Sequence, residues 1–260
     1  MTIPCSNPAV EILSQGDEVV SGQITDTNAA WLAQALTPSG FRVRRHTVVG
    51  DCLDDIVAVL KEVAVRADIV LCSGGLGPTS DDLTAAAVSQ AFGLPLQLDP
   101  VALAMIEQQM SQRGRRMAAC NEKQAWLPSG AARLDNLWGT APGFSVWQGA
   151  CWLVFMPGVP REMQAMFRHR VEPQLRANYS LTPPHRTVFH TRGEGESSLQ
   201  ERIDNLNLPA SIRLGFLATD HGVQVKLLFA AEVDDRSRQQ WIKQVHQALA
   251  PAVNRIDSDT

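Results

Sequence analysis

This 260-residue chain has no excess of basic residues, no metal-binding cysteine or histidine spacing and no long apolar run. Each absence removes a class of function. Lys and Arg total 23 against 27 Asp and Glu, a formal net charge of −4. That balance argues against nucleic acid as the main partner. The five cysteines, Cys5, Cys52, Cys72, Cys120 and Cys151, are dispersed and form no CxxC pair. An odd, scattered set fits reduced thiols in the cytoplasm and offers no zinc-site spacing. The six histidines show neither HxxxH nor HxH spacing. No stretch is apolar for long enough to span a bilayer, and Met1–Ser6 lacks a basic region followed by an apolar one. Neither a membrane partner nor a secretory signal is therefore expected. No Ser-His-Asp or Cys-His arrangement, internal repeat or low-complexity tract stands out.

Glycine beside acid is concentrated at one place. The run Gly74-Gly75-Leu76-Gly77-Pro78-Thr79-Ser80-Asp81-Asp82-Leu83-Thr84 follows a buried-strand pattern at 68–73 and leads into a helix pattern at 83–92. Three glycines let a backbone approach a ligand closely and adopt positive φ. The N–H groups of a helix start favour an anion such as phosphate. Two carboxylates in the same loop repel a phosphate unless a cation lies between them, so the pattern suggests metal-assisted phosphate chemistry. The amides from Gly75 to Thr79 are the expected phosphate cradle, with Asp82 binding metal or orienting water and Asp81 in support. The plainer reading is a tight turn with Asp82 as helix cap, and Asp81 is as well read as a solvated loop residue.

The surrounding pattern places this loop in an α/β fold. Strands at 9–14, 41–49 and 68–73 alternate with helices through Leu36, from Leu53 to Arg66 and from Leu83 to Phe92, which implies crossovers and a mainly parallel sheet. Asp51, after the second strand, lies at the same carboxyl edge as Asp82, where ligands gather in open parallel sheets. Its alternative role is to cap the helix that begins near Leu53. Asp17 and Glu18 end the first strand, as turn formers or as further acids of the crevice. Asp26 and Asn28 read as helix caps, with Asn28 also within reach of a ribose or base. One helix is expected over 99–124, short strands at 125–128 and 131–134, a strand at 151–156 and a helix from Arg161 to Leu175. The segment 179–184 reads as a linker to a smaller α+β unit. Domain bounds of 1–178 and 179–260 follow.

Several ordered segments together resemble one family. Gly16-Asp17-Glu18, Gly22-Gln23-Ile24, Asp26-Thr27-Asn28 and the glycine loop resemble the molybdopterin-binding (MoaB/Mog) fold. Asn136, Gly139-Thr140-Ala141-Pro142-Gly143, Pro157-Gly158-Val159-Pro160 with Glu162, and Gly193-Glu194-Gly195-Glu196-Ser197 resemble the competence/damage-inducible protein A (CinA) branch. The resemblance implies a Mog-type three-layer α/β domain followed by a KH-like α+β domain. It implies metal-dependent hydrolysis of ADP-ribose to AMP and ribose 5-phosphate, or of a similar dinucleotide, with Mg, Mn or Co as the divalent cation. Asp82, Asp51 and Asp81 are then the catalytic candidates, and Asp82 and Asp51 the metal ligands. Gly74, Gly75, Leu76, Gly77, Pro78, Thr79, Gly16, Asn28, Thr140 and Gly158 are the ligand-binding candidates. A small-molecule nucleotide substrate and a homo-oligomer, as a dimer, are the expected partners. The alternatives are molybdopterin-type ligand binding and a non-catalytic nucleotide-binding subunit. Longer CinA-like proteins carry a further domain that deamidates nicotinamide mononucleotide; with this sequence ending at Thr260, that domain is not expected here.

Overall fold

A computed structural model describes residues 7–179 and 181–258. Cys5, the N-terminal segment Met1–Ser6 and Ser180 of the expected linker lie outside the described residues. The chain divides into two compact units, Met1–Leu181 and Thr182–Thr260.

The first unit opens with β1 (Ala9–Gln15), a single helical turn α1 (Asp17–Val20), α2 (Thr27–Leu36), β2 (Arg42–Val49), α3 (Leu53–Ala64), β3 (Ile69–Ser73) and α4 (Thr84–Phe92). It continues through β4 (Leu96–Leu98), α5 (Pro100–Gln112), β5 (Trp126–Pro128), β6 (Ala132–Leu134), β7 (Gly143–Gln148) and β8 (Cys151–Met156), and closes with α6 (Pro160–Met166) and α7 (Glu172–Asn178). The six-stranded sheet runs β2-β1-β3-β8-β7-β6. Its first three pairings are parallel, and β7 and β6 add an antiparallel edge.

The strands at the centre are apolar on both faces, as a sheet sandwiched by helices requires. In β3, Val70 and Cys72 join α3 and α4 in one core, while Ile69 and Leu71 join α2, α6 and α7 in the other. In β8, Leu153 and Phe155 face the first core, and Trp152, Val154 and Met156 the second. The alternation follows from the two-residue period of a strand and gives three layers. Among the described residues, one charged side chain is buried in this frame. Glu11 of β1 is 2% exposed and is gripped by Arg66 through Nε at 2.9 Å and Nη2 at 2.9 Å. That contact, more than any other, holds the Arg66 guanidinium above its ordinary pKa.

The helix expected over 99–124 is two elements. α5 stops at Gln112 because Gly114 is left-handed, at φ +65°. The Arg115 amide then reaches back to Met110 O at 2.9 Å and the Gly114 amide to Ser111 O at 2.9 Å, a paired closure that terminates helices at glycine. A separate 3₁₀ stretch follows at Ala119–Ala125. The helix expected from Arg161 to Leu175 is likewise interrupted. Pro173 has no N–H to continue the ladder, and the chain widens into a π turn at Phe167–Val171 just ahead of it.

The second unit holds β9 (His185–Thr191), α8 (Glu196–Asp204), β10 (Ile212–Thr219), β11 (Gly222–Phe229), α9 (Asp235–Leu249) and β12 (Val253–Ser258). The sheet order is β10-β11-β9-β12, with every pairing antiparallel. Val223, Val225, Leu227 and Phe229 point to one face and pack with Leu199, Ile203, Val245 and Leu249 of the two helices. The intervening residues of β11 face the other way.

Candidate ligand-binding cleft

The glycine loop sits where the sequence places it, between β3 and α4 at the carboxyl edge of the parallel strands. It lines a cleft of about 490 Å³ whose wall includes Gly74, Gly75, Leu76, Gly77, Pro78, Asp81, Asp82, Asp51, Gly16, Thr140 and Gly158. Eleven of the thirteen expected site residues therefore converge on one space.

The other two do not line it. Asn28 is buried in α2 and donates from Nδ2 to Gly158 O at 2.8 Å. It supports the cleft wall, and its Oδ1 has no hydrogen-bond partner among the described residues. The α2 cap is Asp26, which accepts from the Ala29 amide at 2.9 Å. Thr79 turns inward on its own loop: its amide donates to Asp82 Oδ2 at 2.8 Å, and its hydroxyl donates to the same oxygen. The Thr79 amide is thus already spent, and Pro78 has no amide hydrogen to give. The amides of Gly75, Leu76 and Gly77 donate to nothing among the described residues, which leaves three open donors in the expected cradle.

The carboxylates are held by local bonds. Asp82 does not cap α4, whose N-cap is Leu83 with no side-chain bond; it ties down the Thr79 turn instead. The Thr79 hydroxyl, with Asp81's own amide, also keeps the Asp81 carboxyl below its usual range. Asp51 does not cap α3, whose N-cap is Cys52. It accepts from Gln15 Nε2 at 3.0 Å through one oxygen and from the Asp17 amide at 3.0 Å through the other. Asp17 reciprocates by accepting from the Asp51 amide at 3.0 Å. The pair locks the end of β1 to the end of β2.

Two cleft residues, Gln15 and Gln124, carry no signal of their own in the sequence, and a third, Glu162, is marked there only through the family resemblance. Gln15 is 8% exposed and joins Asp51 to Thr84, whose hydroxyl donates to Gln15 Oε1 at 2.6 Å and also contacts Gly74 O at 3.0 Å. Gln124 reaches in from the 3₁₀ stretch and donates to Leu76 O at 3.2 Å. Glu162 of α6 accepts from Asn136 Nδ2 at 2.7 Å, while Asn136 Oδ1 receives the amides of Trp138 and Gly139. That network folds the loop before β7 and presents Thr140 to the cleft.

One glycine is demanded by this packing and a second is favoured by it. Gly75 has φ +65°, and a Cβ there would lie 2.2 Å from Gln15 Nε2 and 2.3 Å from Thr84 Oγ1. At Gly158 a Cβ would come within 3.3 Å of Gly74 Cα, so two backbone segments approach closely there and a side chain would push them apart by a few tenths of an ångström.

Among the described residues, no three His, Cys, Asp or Glu side chains come together in a way that could hold a metal ion. Asp51 and Asp82 thus do not make a protein cage by themselves. Each retains acceptor capacity beyond its bonds to this chain, which suits a hydrated hard cation that takes the rest of its shell from ligand oxygens. No helix among the described residues is long and apolar enough to cross a membrane.

Residues 11–177 match the family described as the probable molybdopterin binding domain. A CinA-like protein of Escherichia coli (strain SMS-3-5 / SECEC) is 42% identical over 234 residues, 90% of this chain and 58% of the relative. The NMN amidohydrolase-like protein YfaY of Escherichia coli (strain K12) shows the same identity and coverage. The crystal structure of the protein CinA from Thermoplasma acidophilum has a TM-score of 0.59 and 33% identity, and covers 66% of this chain and 98% of that one. The chain thus spans just over half the length of its curated relatives. These comparisons correct one expectation. The ADP-ribose pyrophosphatase assignment is not upheld, because a relative named for an activity is NMN amidohydrolase-like and the matched family is described by ligand binding. The chain belongs to the molybdopterin-binding-domain family, in its CinA-like branch.

Proposed function

We propose that the first unit is a binding module for a phosphate-bearing small molecule of the molybdopterin type. The observation that carries this reading is the set of open amides at Gly75, Leu76 and Gly77 on the wall of the cleft. Backbone donors beside a helix start bind an oxyanion without needing a cationic side chain. Among the described residues that line the cleft there is no Lys or Arg, and the cation next to the loop, Lys123, donates to Thr79 O. The remaining lining groups, Gln15, Gln124, Thr140 and the carboxylates, offer both donors and acceptors to a polar heterocycle. The family's description as molybdopterin-binding agrees with this chemistry.

A divalent cation belongs to the same proposal. Asp51 and Asp82 would hold it together with ligand phosphate oxygens, offsetting the repulsion between those carboxylates and the anion. The cation alone is then expected to bind weakly, and the phosphate-bearing ligand to bind more tightly in its presence.

Fluorescence titration with a pterin phosphate tests the reading. The wild-type protein is expected to bind it saturably, and Gly75→Ala to lose binding through displacement of Gln15 and Thr84. Equal binding by wild type and Gly75→Ala, or tighter binding of a plain nucleotide than of the pterin phosphate, would count against it.

A further inference from the structure

The second unit contains a cleft of about 210 Å³ of a different character. It lies at one end of the four-stranded sheet and is lined by His190, Arg192, Thr219, His221, Asn254 and Arg255, among others. Strand register explains why these side chains meet. His190 of β9 is paired with Gln224 of β11 on one side and with Arg255 of β12 on the other. Phe189, one residue earlier, belongs to the core beneath α8 and α9, so His190 and its two neighbours form a row on the opposite face. The β10–β11 turn brings Thr219 and His221 to the end of that row, and Arg192 follows directly after β9.

The charges in this cleft are unbalanced. One carboxylate, Asp257, serves two of the four basic residues: it contacts His190 Nε2 at 2.9 Å and accepts from Arg255 Nε at 2.7 Å. The guanidinium of Arg192 makes no hydrogen bond or ion pair among the described residues, and the His221 ring has none either. Asp220 is adjacent to His221 in the chain but does not line the cleft. An unpaired guanidinium with imidazoles and an amide side chain around one small concavity matches an oxyanion, which offers several acceptors to a forked donor.

We propose that this cleft binds the phosphate group of a small phosphate monoester, with Arg192 as its principal anchor and His190, His221 and Asn254 as further donors. The site lies wholly within the second unit and does not depend on the ligand of the first. Arg255, already turned toward Asp257, positions that carboxylate and orients His190.

Site-resolved NMR on the full chain tests this. Inorganic phosphate, then glycerol phosphate, is titrated while the ring signals of His190 and His221 are followed. Both signals are expected to move saturably. Arg192→Ala, an exposed position with no partner to lose, is expected to weaken binding by about tenfold, the loss of one charge-assisted contact. Lys243→Ala on α9 should leave it unchanged. Static histidine signals, or an affinity unaltered in Arg192→Ala, would overturn the proposal. So would a short single-stranded RNA that moves the same signals at far lower concentration than either phosphate, which would make the cleft a nucleic-acid surface.

Discussion

The hydroxyl of Thr84, in the first turn of α4, donates to Gln15 Oε1 at 2.6 Å, and through that contact the glycine loop is tied to the end of β1. Gln15 in turn gives its Nε2 hydrogen to Asp51. One buried side chain therefore fixes the distances between three parts of the cleft. Thr84→Val keeps the shape but removes the one hydroxyl proton, leaving Gln15 Oε1 without that donor. The expected cost is about 1–3 kcal/mol, seen as a lowered Tm, together with weaker ligand binding as Gln15 loses its hold on Asp51. An unchanged Tm would show that the contact is dispensable.

The Glu11–Arg66 pair supports the fold and lies outside the cleft lining. Arg66→Ala strands a carboxylate that is 2% exposed. Arg66 keeps some contact with solvent, so a loss near the low end for buried pairs, about 3 kcal/mol, is expected. Replacing both partners, Glu11→Leu with Arg66→Met, should recover most of it. Ligand affinity of the folded fraction should not change in either variant. Denaturant unfolding of the three proteins and titration of the folded state check this. If the double variant is as unstable as Arg66→Ala, the loss comes from side-chain packing and not from a stranded charge.

Cys151 opens β8 inside the core, and burial pushes its thiol up to about 12. Cys72 is raised in the same direction by the same cause. Their folded pKa values lie above those of the unfolded chain, so this contribution to stability is complete below about pH 8.5. It declines as the pH rises from there toward 12. An alkylating reagent at pH 8 should therefore label the exposed Cys52 and Cys120 and spare Cys72 and Cys151 until the protein is denatured. Peptide mass mapping reads the result; prompt labelling of Cys151 in the native protein would contradict the placement of β8.

Much of the first unit was legible because its signals are local. The glycine loop, the apolar strands at 69–73 and 151–156 and the Asp26 cap each announce themselves within a few residues. Gly114 is an equally local stop signal, because the left-handed turn that glycine makes possible ends the helix well before residue 124. Gln15 and Gln124 are different. Their roles come from tertiary placement: Gln15 meets Thr84 across 69 residues of chain, and Gln124 meets Leu76 across 48. An amide side chain has no spacing rule that marks it in advance. The acids were visible but their bonding was not. Asp82 and Asp51 both precede helices and read as caps, yet each bonds elsewhere, because Thr79 and Gln15 supply the nearer donors. In the second unit, the row of His190, Gln224 and Arg255 depends on strand register, which no single stretch of sequence specifies.

The central claim is that the loop amides hold the ligand's anion, and amide NMR addresses it most directly. In a titration with a pterin phosphate, the ¹H–¹⁵N signals of Gly75, Leu76 and Gly77 are predicted to show the largest shifts in the first unit, while the Thr79 amide, already bonded to Asp82, moves little. Saturable binding with those three signals unmoved would contradict the account.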